Sequence, residues 1–155
     1  MEITKFQEYP LPEKVGNGKE SNVFRISNNH AAKTPIIPHE ITLKNLEKEF
    51  EIAKILFDKG ISVPKPEGIF FIKYDIHFLK SFIMEYIEGK NGFEISNEEY
   101  SYSARLWREE LERARGLGFI TYDSSHAGNF IWSPKKEKIY LIDFEMWEPM
   151  REIWK

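Results

Sequence analysis

Two stretches of helical periodicity, set in a chain otherwise built of short apolar runs, decide what this sequence folds into. The first runs from about His39 to Lys59, with Leu46, Phe50, Ala53, Leu56 and Phe57 recurring at helical spacing. Pro38 stands at its first turn and Gly60 follows its end. The second starts at Ser96, where Glu99 three residues later completes a capping box. It carries Tyr100, Ala104, Trp107, Leu111 and Ala114 in one stripe and ends at Gly116 or Gly118. Around the helices the runs are strand-like. Val23–Ile26 alternates, and Asn28 with Asn29 turns the chain back toward Lys33. Ile69–Lys73 and Phe78–Glu85 read as two strands after the breaks at Pro64 and Pro66. Phe130–Ser133 and Ile139–Ile142 flank a turn at Pro134. Residues 1–14, with Pro10 and Pro12, read as a lead-in, and the stretch from Ile87 to Gly92 as a connector. The order of strands, helix, strands, connector, helix, loop and hairpin predicts an α+β fold.

At 155 residues the chain fits one domain with a core of its own. Apolar residues make up 41% and charged residues 30%, the balance of a folded chain rather than a disordered one. A formal charge of -3 supplies no global basic field, so nucleic acid is not an expected partner. Zero cysteines exclude disulfides and thiolate metal sites, which fits a reducing cytoplasm. The N-terminus has no apolar signal core, and no run approaches the ~20 apolar residues of a membrane span.

The residues able to do chemistry fall on loops beside the apolar runs. Asp123, Asn129 and Asp143 set an acid, an amide and a second acid next to short strands. Asp143 ends the run from Ile139 and precedes Phe144, a placement that suits a metal ligand at the rim of a core. Asn129 is the natural second oxygen ligand, since magnesium takes a few protein oxygens and completes its shell with phosphate and water. Taken singly, each of these two is better explained by a turn cap or a local backbone bond; their joint order with Gly16, Lys33 and Glu49 favours a site. Gly16 and Gly18 precede a strand and not a helix, so a Rossmann or Walker reading fails. A glycine loop between two strands instead lets backbone N–H groups approach phosphate oxygens, with the Ser21 hydroxyl beside them and Val23 beginning the strand.

Lys33 ends an apolar strand; alone it reads better as a strand-end lysine in solvent, and with the other residues as a phosphate-binding cation held by an acid on the following helix. Glu49 shares a face with Leu46, Ile52, Ala53 and Leu56, whereas Glu51 shares one with Glu47, Lys48, Lys54 and Asp58. A carboxylate on the apolar stripe is costly unless paired. Glu49 is therefore the expected partner of Lys33, with Glu51 in reserve. In a two-lobed protein, the backbone at Glu85 and Ile87 pairs with an adenine edge and Met84 lines the pocket. The four histidines have no metal-ligand spacing; surface or loop-bracing roles suit them better. The tail, with Trp147, Met150, Ile153 and Trp154, reads as core closure, or less well as a partner-binding patch.

These residues resemble the protein-kinase-like superfamily, most closely its atypical RIO kinases and the related small lipopolysaccharide-type kinases. The run from Gly18 to Val23 looks like the RIO phosphate loop, and Glu49 to Pro66 like the family's helix and its Gly-x-x-Val-Pro-x-Pro exit. Phe82–Gly89 is similar to the hinge, His126–Asn129 to the end of the catalytic loop, and Ile142–Phe144 to the metal motif. The resemblance covers about residues 11–145 in the family's order. It implies a minimal two-lobed kinase-like fold. An N-lobe of about residues 11–87 would hold an antiparallel sheet with one helix, and residues 88–155 a strongly truncated C-lobe. It also implies ATP and Mg2+ as cofactors, Lys33 on the phosphates with Glu49 orienting it, and Asn129 and Asp143 on the metal.

The expectation is a cytoplasmic, ATP- and magnesium-dependent phosphotransferase acting on a protein Ser/Thr or a small hydroxyl acceptor. The family's catalytic acid stands five residues before the loop asparagine. Ser124 holds that place here and Asp123 lies six before, so Asp123 is read as the base. The alternative is a pseudokinase, a nucleotide-binding or scaffolding module that acts through a protein partner. A third reading is an interaction domain using the Trp147–Trp154 surface. Only ten residues follow Glu145, too few for the family's acceptor platform, so the expectation is either a small acceptor or a second subunit that completes the acceptor side, self-association being preferred over another protein partner.

Overall fold

The computed structural model describes residues 3–18, 20–122 and 126–150. The fold is α+β, and the chain divides into two compact units, Met1–Glu51 with Lys65–Tyr86, and Ile52–Pro64 with Ile87–Lys155.

The first unit is built on a five-stranded antiparallel sheet. Its strands are β1 (Glu13–Asn17), β2 (Ser21–Arg25), β3 (His30–Pro35), β4 (Pro66–Tyr74) and β5 (His77–Glu85), in the order β1-β2-β3-β5-β4. Directly opposed residues share a face. The register Val23↔Lys33↔Phe82 and Arg25↔Ala31↔Met84 therefore puts these six on one side. Phe24, Ala32 and Ile83 fall on the other side, where with Ile26 and Ile72 they form a buried apolar cluster covered by Phe6. Each large side chain in that cluster contributes about 1.5–3 kcal/mol, more than the ~1 kcal/mol of a single ladder hydrogen bond.

The lead-in is more than a tether. Thr4 N–H donates to the Phe71 carbonyl at 3.0 Å, and the Gln7 side chain bonds both the N–H and the carbonyl of Lys73. Gln7 thus supplies one strand-like pairing to the outer edge of β4, an edge that would otherwise be open to another chain. The lead-in expected over residues 1–14 is corrected at its end, where Glu13 and Lys14 already belong to β1. The sequence hides this strand because none of its five residues is buried, so it has no apolar alternation.

Helix α1 (Glu40–Asp58) is one residue shorter at each end than its pattern predicts. Leu46, Ile52, Ala53 and Leu56 are buried, but Phe57 is 40% exposed and lies off the stripe. Gly60 takes a left-handed φ of 80°, which terminates the helix at little cost for glycine.

The second unit contains helix α2 (Asn97–Gly116) and five short strands: β6 (Lys90–Asn91), β7 (Phe119–Thr121), β8 (Phe130–Ser133), β9 (Lys138–Leu141) and β10 (Trp147–Pro149). They form a three-stranded sheet, β6-β8-β9, and a two-stranded pair, β7 with β10. Ser96 caps α2 by accepting from Glu99 N–H at 3.4 Å, as the capping box predicts. Ala104, Trp107, Leu111 and Ala114 are buried, whereas Tyr100, in the first turn, is 39% exposed. The connector expected at Ile87–Gly92 contains β6, and the tail contains β10; neither is long enough to show a period of two. Trp147 is 2% exposed, with its ring against Phe119 and Phe144, so it closes the core and offers no partner surface. Ile153 and Trp154 lie outside the described residues.

Two glycines fix this unit by close approach. A Cβ on Gly89 would stand 2.3 Å from the Trp132 carbonyl oxygen, and one on Gly92 2.4 Å from that of Ala127. Gly116, at the end of α2, has nothing within 4 Å. Gly89→Ala is expected to cost about 1–3 kcal/mol through overpacking. Gly116→Ala should cost nothing or gain up to about 1 kcal/mol. Urea unfolding of the two variants checks this, and equal midpoints would refute the close approach at Gly89.

Candidate functional site

The first unit carries a buried ion pair. Lys33 Nζ lies 3.0 and 2.8 Å from the two carboxylate oxygens of Glu49, with 6% and 2% of the two residues exposed. The partner is Glu49; Glu51 is exposed on the polar side of α1. Two further contacts hold the helix on this face of the sheet. Phe50 meets Phe82 edge-on at 5.9 Å, and Glu47 reaches Lys80 at 3.5 Å. Next to Lys33 on the same face stand Val23, Ala31 and Met84. A fixed cation beside a smooth apolar surface suits a ligand with a flat ring and a charged tail.

Gly16 lies in β1 just after a register shift, and Gly18 N–H donates to the Ser21 carbonyl at 2.8 Å, closing the turn into β2. A Cβ at either glycine would make only ordinary contacts, 3.7 Å to Val23 and 3.6 Å to the Ser21 oxygen. The backbone at these positions does not require glycine. Ser21 itself is buried.

The hinge-like segment is partly committed to the sheet. Glu85 N–H donates to the Lys65 carbonyl at 2.9 Å, and its carboxylate accepts from Lys65 N–H at 3.1 Å. Any edge pairing at Glu85 therefore falls to its carbonyl oxygen. Tyr86 N–H donates to Asn29 at 2.8 Å, and the Arg25 guanidinium stacks over the Tyr86 ring at 4.1 Å. Ile87, 8% exposed, begins the longer segment of the second unit.

In the second unit the chain approaches Asn129 through a 3-10 turn, Ala127–Asn129. His126 caps it, its Nδ1 accepting from Gly128 N–H at 3.1 Å and its ring against Phe93 at 5.2 Å. Phe130 follows, fully buried and stacked on Trp107 at 4.7 Å, which anchors the residue after Asn129. Ile142 N–H donates to the Asn129 carbonyl at 3.1 Å, extending the β8–β9 ladder by one pair. Asp143 follows directly after that bonded pair.

Asp143 has a φ of +63°, in the left-handed region. Asp75 and Glu137 share that property, but both sit in the tips of two-stranded hairpins, where turns demand it. Asp143 is in no hairpin tip. It is flanked by buried Leu141 and by buried Phe144, whose ring contacts Trp147 at 4.9 Å. Such backbone is held only where surrounding packing over-determines it, and it concentrates at functional sites.

Asn129 and Asp143 offer oxygen donors only, in the small number that suits magnesium. Among the described residues no group of three or more His, Asp or Glu is placed to hold a metal, so a zinc-type cage is not built here. Asp123, the expected base, and Ser124 lie outside the described residues. The glycines at 89 and 92 and the bonding of Ser62 went unread in the sequence. Their signal is a backbone approach between distant segments, which leaves no local pattern. The chain matches no family model and no curated protein sequence.

Lys33→Met leaves Glu49 buried without its cation and is expected to cost about 3–5 kcal/mol. Adding Glu49→Leu should restore most of that loss, while Glu51→Gln stays within about 0.5 kcal/mol of wild type. Guanidinium unfolding measures all three, and a Lys33→Met variant as stable as Glu51→Gln would rule out the buried pair.

Proposed function

We propose that the protein is an ATP- and magnesium-dependent phosphotransferase with a minimal, two-lobed, RIO-like kinase fold, acting on a protein Ser/Thr or a small hydroxyl compound. The observation that carries this reading is the bidentate Lys33–Glu49 pair on the sheet face that also presents Val23, Ala31 and Met84. A buried lysine–glutamate pair is seldom more stabilising than an apolar pair of similar size. A held ammonium beside an apolar surface is, however, what the phosphates and base of a nucleotide require.

In this reading Lys33 holds the nucleotide phosphates and Glu49 keeps its ammonium aimed. The backbone at Gly16 and Gly18, with Ser21, covers the phosphates. Val23 and Met84 contact the base, and the backbone at Glu85 and Ile87 meets its edge. Asn129 and Asp143 hold magnesium, which neutralises phosphate charge when bound. Asp123 takes the proton from the acceptor hydroxyl as its oxygen bonds to the terminal phosphorus and ADP departs with the bridging oxygen. A second reading, nucleotide binding without transfer, draws on the loop register, where Ser124 and not an acid lies five residues before Asn129.

Gly18→Ala provides a clean test, because the fold tolerates its methyl group. Stability should stay within about 0.5 kcal/mol of wild type while the KM for ATP rises. Asp143→Ala and Lys33→Met should each lower turnover at least ~100-fold. Radiolabelled phosphate release and transfer measure this. ATP-induced thermal stabilisation with no transfer would select the second reading, and no response to any nucleotide would end both.

A further inference from the structure

One residue in the loop after α1 spends every polar group it has on holding β9 and α2. Ser62 is 9% exposed. Its backbone N–H donates to Glu110 Oε2 at 2.9 Å, and its carbonyl accepts from Leu141 N–H at 2.8 Å. Its hydroxyl donates to the Ile139 carbonyl. Glu110, on α2, is aimed by Arg113 at 2.6 Å, and Arg113 also donates to the Gly60 carbonyl at 3.3 Å. All of these residues belong to the second unit.

The consequence for β9 is a grip along both edges. β8 pairs with one edge through Phe130↔Leu141, and Ser62 takes the other at Ile139 and Leu141. The last bond of the Ser62 edge is made two residues before Asp143. That residue carries a left-handed backbone with a cost of about 1–3 kcal/mol, which the strand before it and the buried Phe144 after it must hold in place.

We propose that Ser62, with Glu110, is a positioning residue for Asp143: it locks β9 so that the Asp143 carboxylate keeps one orientation toward magnesium. This rests on the reading of Asp143 as a magnesium-holding group. Hydrogen-bond partners that orient a ligand from behind commonly change metal affinity by about 10–100-fold when removed. A purely structural Ser62 would lower overall stability and leave the Asp143 segment no looser than the rest of the unit.

The experiment compares wild type with Ser62→Ala, Ser62→Thr and Glu110→Gln by two measurements. The first is amide hydrogen exchange at Ile142–Glu145, referenced to the buried turns of α2. The second is the magnesium concentration giving half-maximal binding of a non-hydrolysable ATP analogue. Ser62→Ala should speed exchange at Asp143 and Phe144 well beyond the α2 reference and raise the magnesium midpoint about tenfold. Ser62→Thr, which keeps the hydroxyl, should restore both. Should Ser62→Ala fail to fold, Glu110→Gln is read by the same two criteria. Uniform acceleration of exchange with an unchanged magnesium midpoint overturns the positioning role. A wild type that binds no magnesium–nucleotide overturns the phosphotransferase reading instead, and the exchange comparison then decides alone whether Ser62 holds Asp143.

Discussion

The burial of Lys33 against Glu49 imposes conditions on nearly every element of the first unit. An ammonium and a carboxylate withdrawn from water lose several kcal/mol of solvation each, and only close bidentate contact recovers it. Contact of that kind needs β3 and α1 held in one relation to within a fraction of an ångström. Phe50 on Phe82 and Glu47 on Lys80 supply it from the helix side, and the apolar cluster behind the sheet keeps β3 from shifting. The same face carries Val23 opposite Lys33, and Ala31 and Met84 in the neighbouring cross-strand row with Arg25. Stability alone would be served as well by a methionine and a leucine of similar volume.

The glycines divide into two physical kinds. Gly89 and Gly92 are needed by the fold, since a methyl group at either would meet a carbonyl oxygen well inside contact distance. Gly16 and Gly18 are not, because a Cβ there finds ordinary neighbours. Glycine where packing demands it is explained by packing. Gly18 closes the turn into β2 by donating to the Ser21 carbonyl, a bond that a side chain at 18 would leave in place.

The fold was legible in the sequence where its signals are local and long. α1 and α2 each show enough turns for the 3.6-residue period to stand out, and Glu49 was identifiable as the one acid whose neighbours at three, four and seven residues are apolar. The strands of two or three residues, β6, β7 and β10, were not legible, since a period of two needs more repeats to be seen. Tyr100 and Phe57 lay on the predicted stripes yet face outward, because a stripe drawn at ideal spacing says nothing about where the facing surface ends. Ser62 was out of reach altogether. Its partner Ile139 is 77 residues away, and a serine followed by a valine looks like any loop.

Asp143 joins these two lines of argument. From sequence it was an acid at the end of an apolar strand, a description that, taken singly, fits a turn cap better. The structure adds its backbone conformation. Aspartate is among the few residues that visit the left-handed region, and here it does so outside a hairpin tip. Here the strand before it is bonded on both edges and the phenylalanine after it is buried between other rings, so the conformation is imposed from both sides. A left-handed residue outside a hairpin tip costs about 1–3 kcal/mol, and the two-edged hold on β9 together with the buried Phe144 is what keeps Asp143 there.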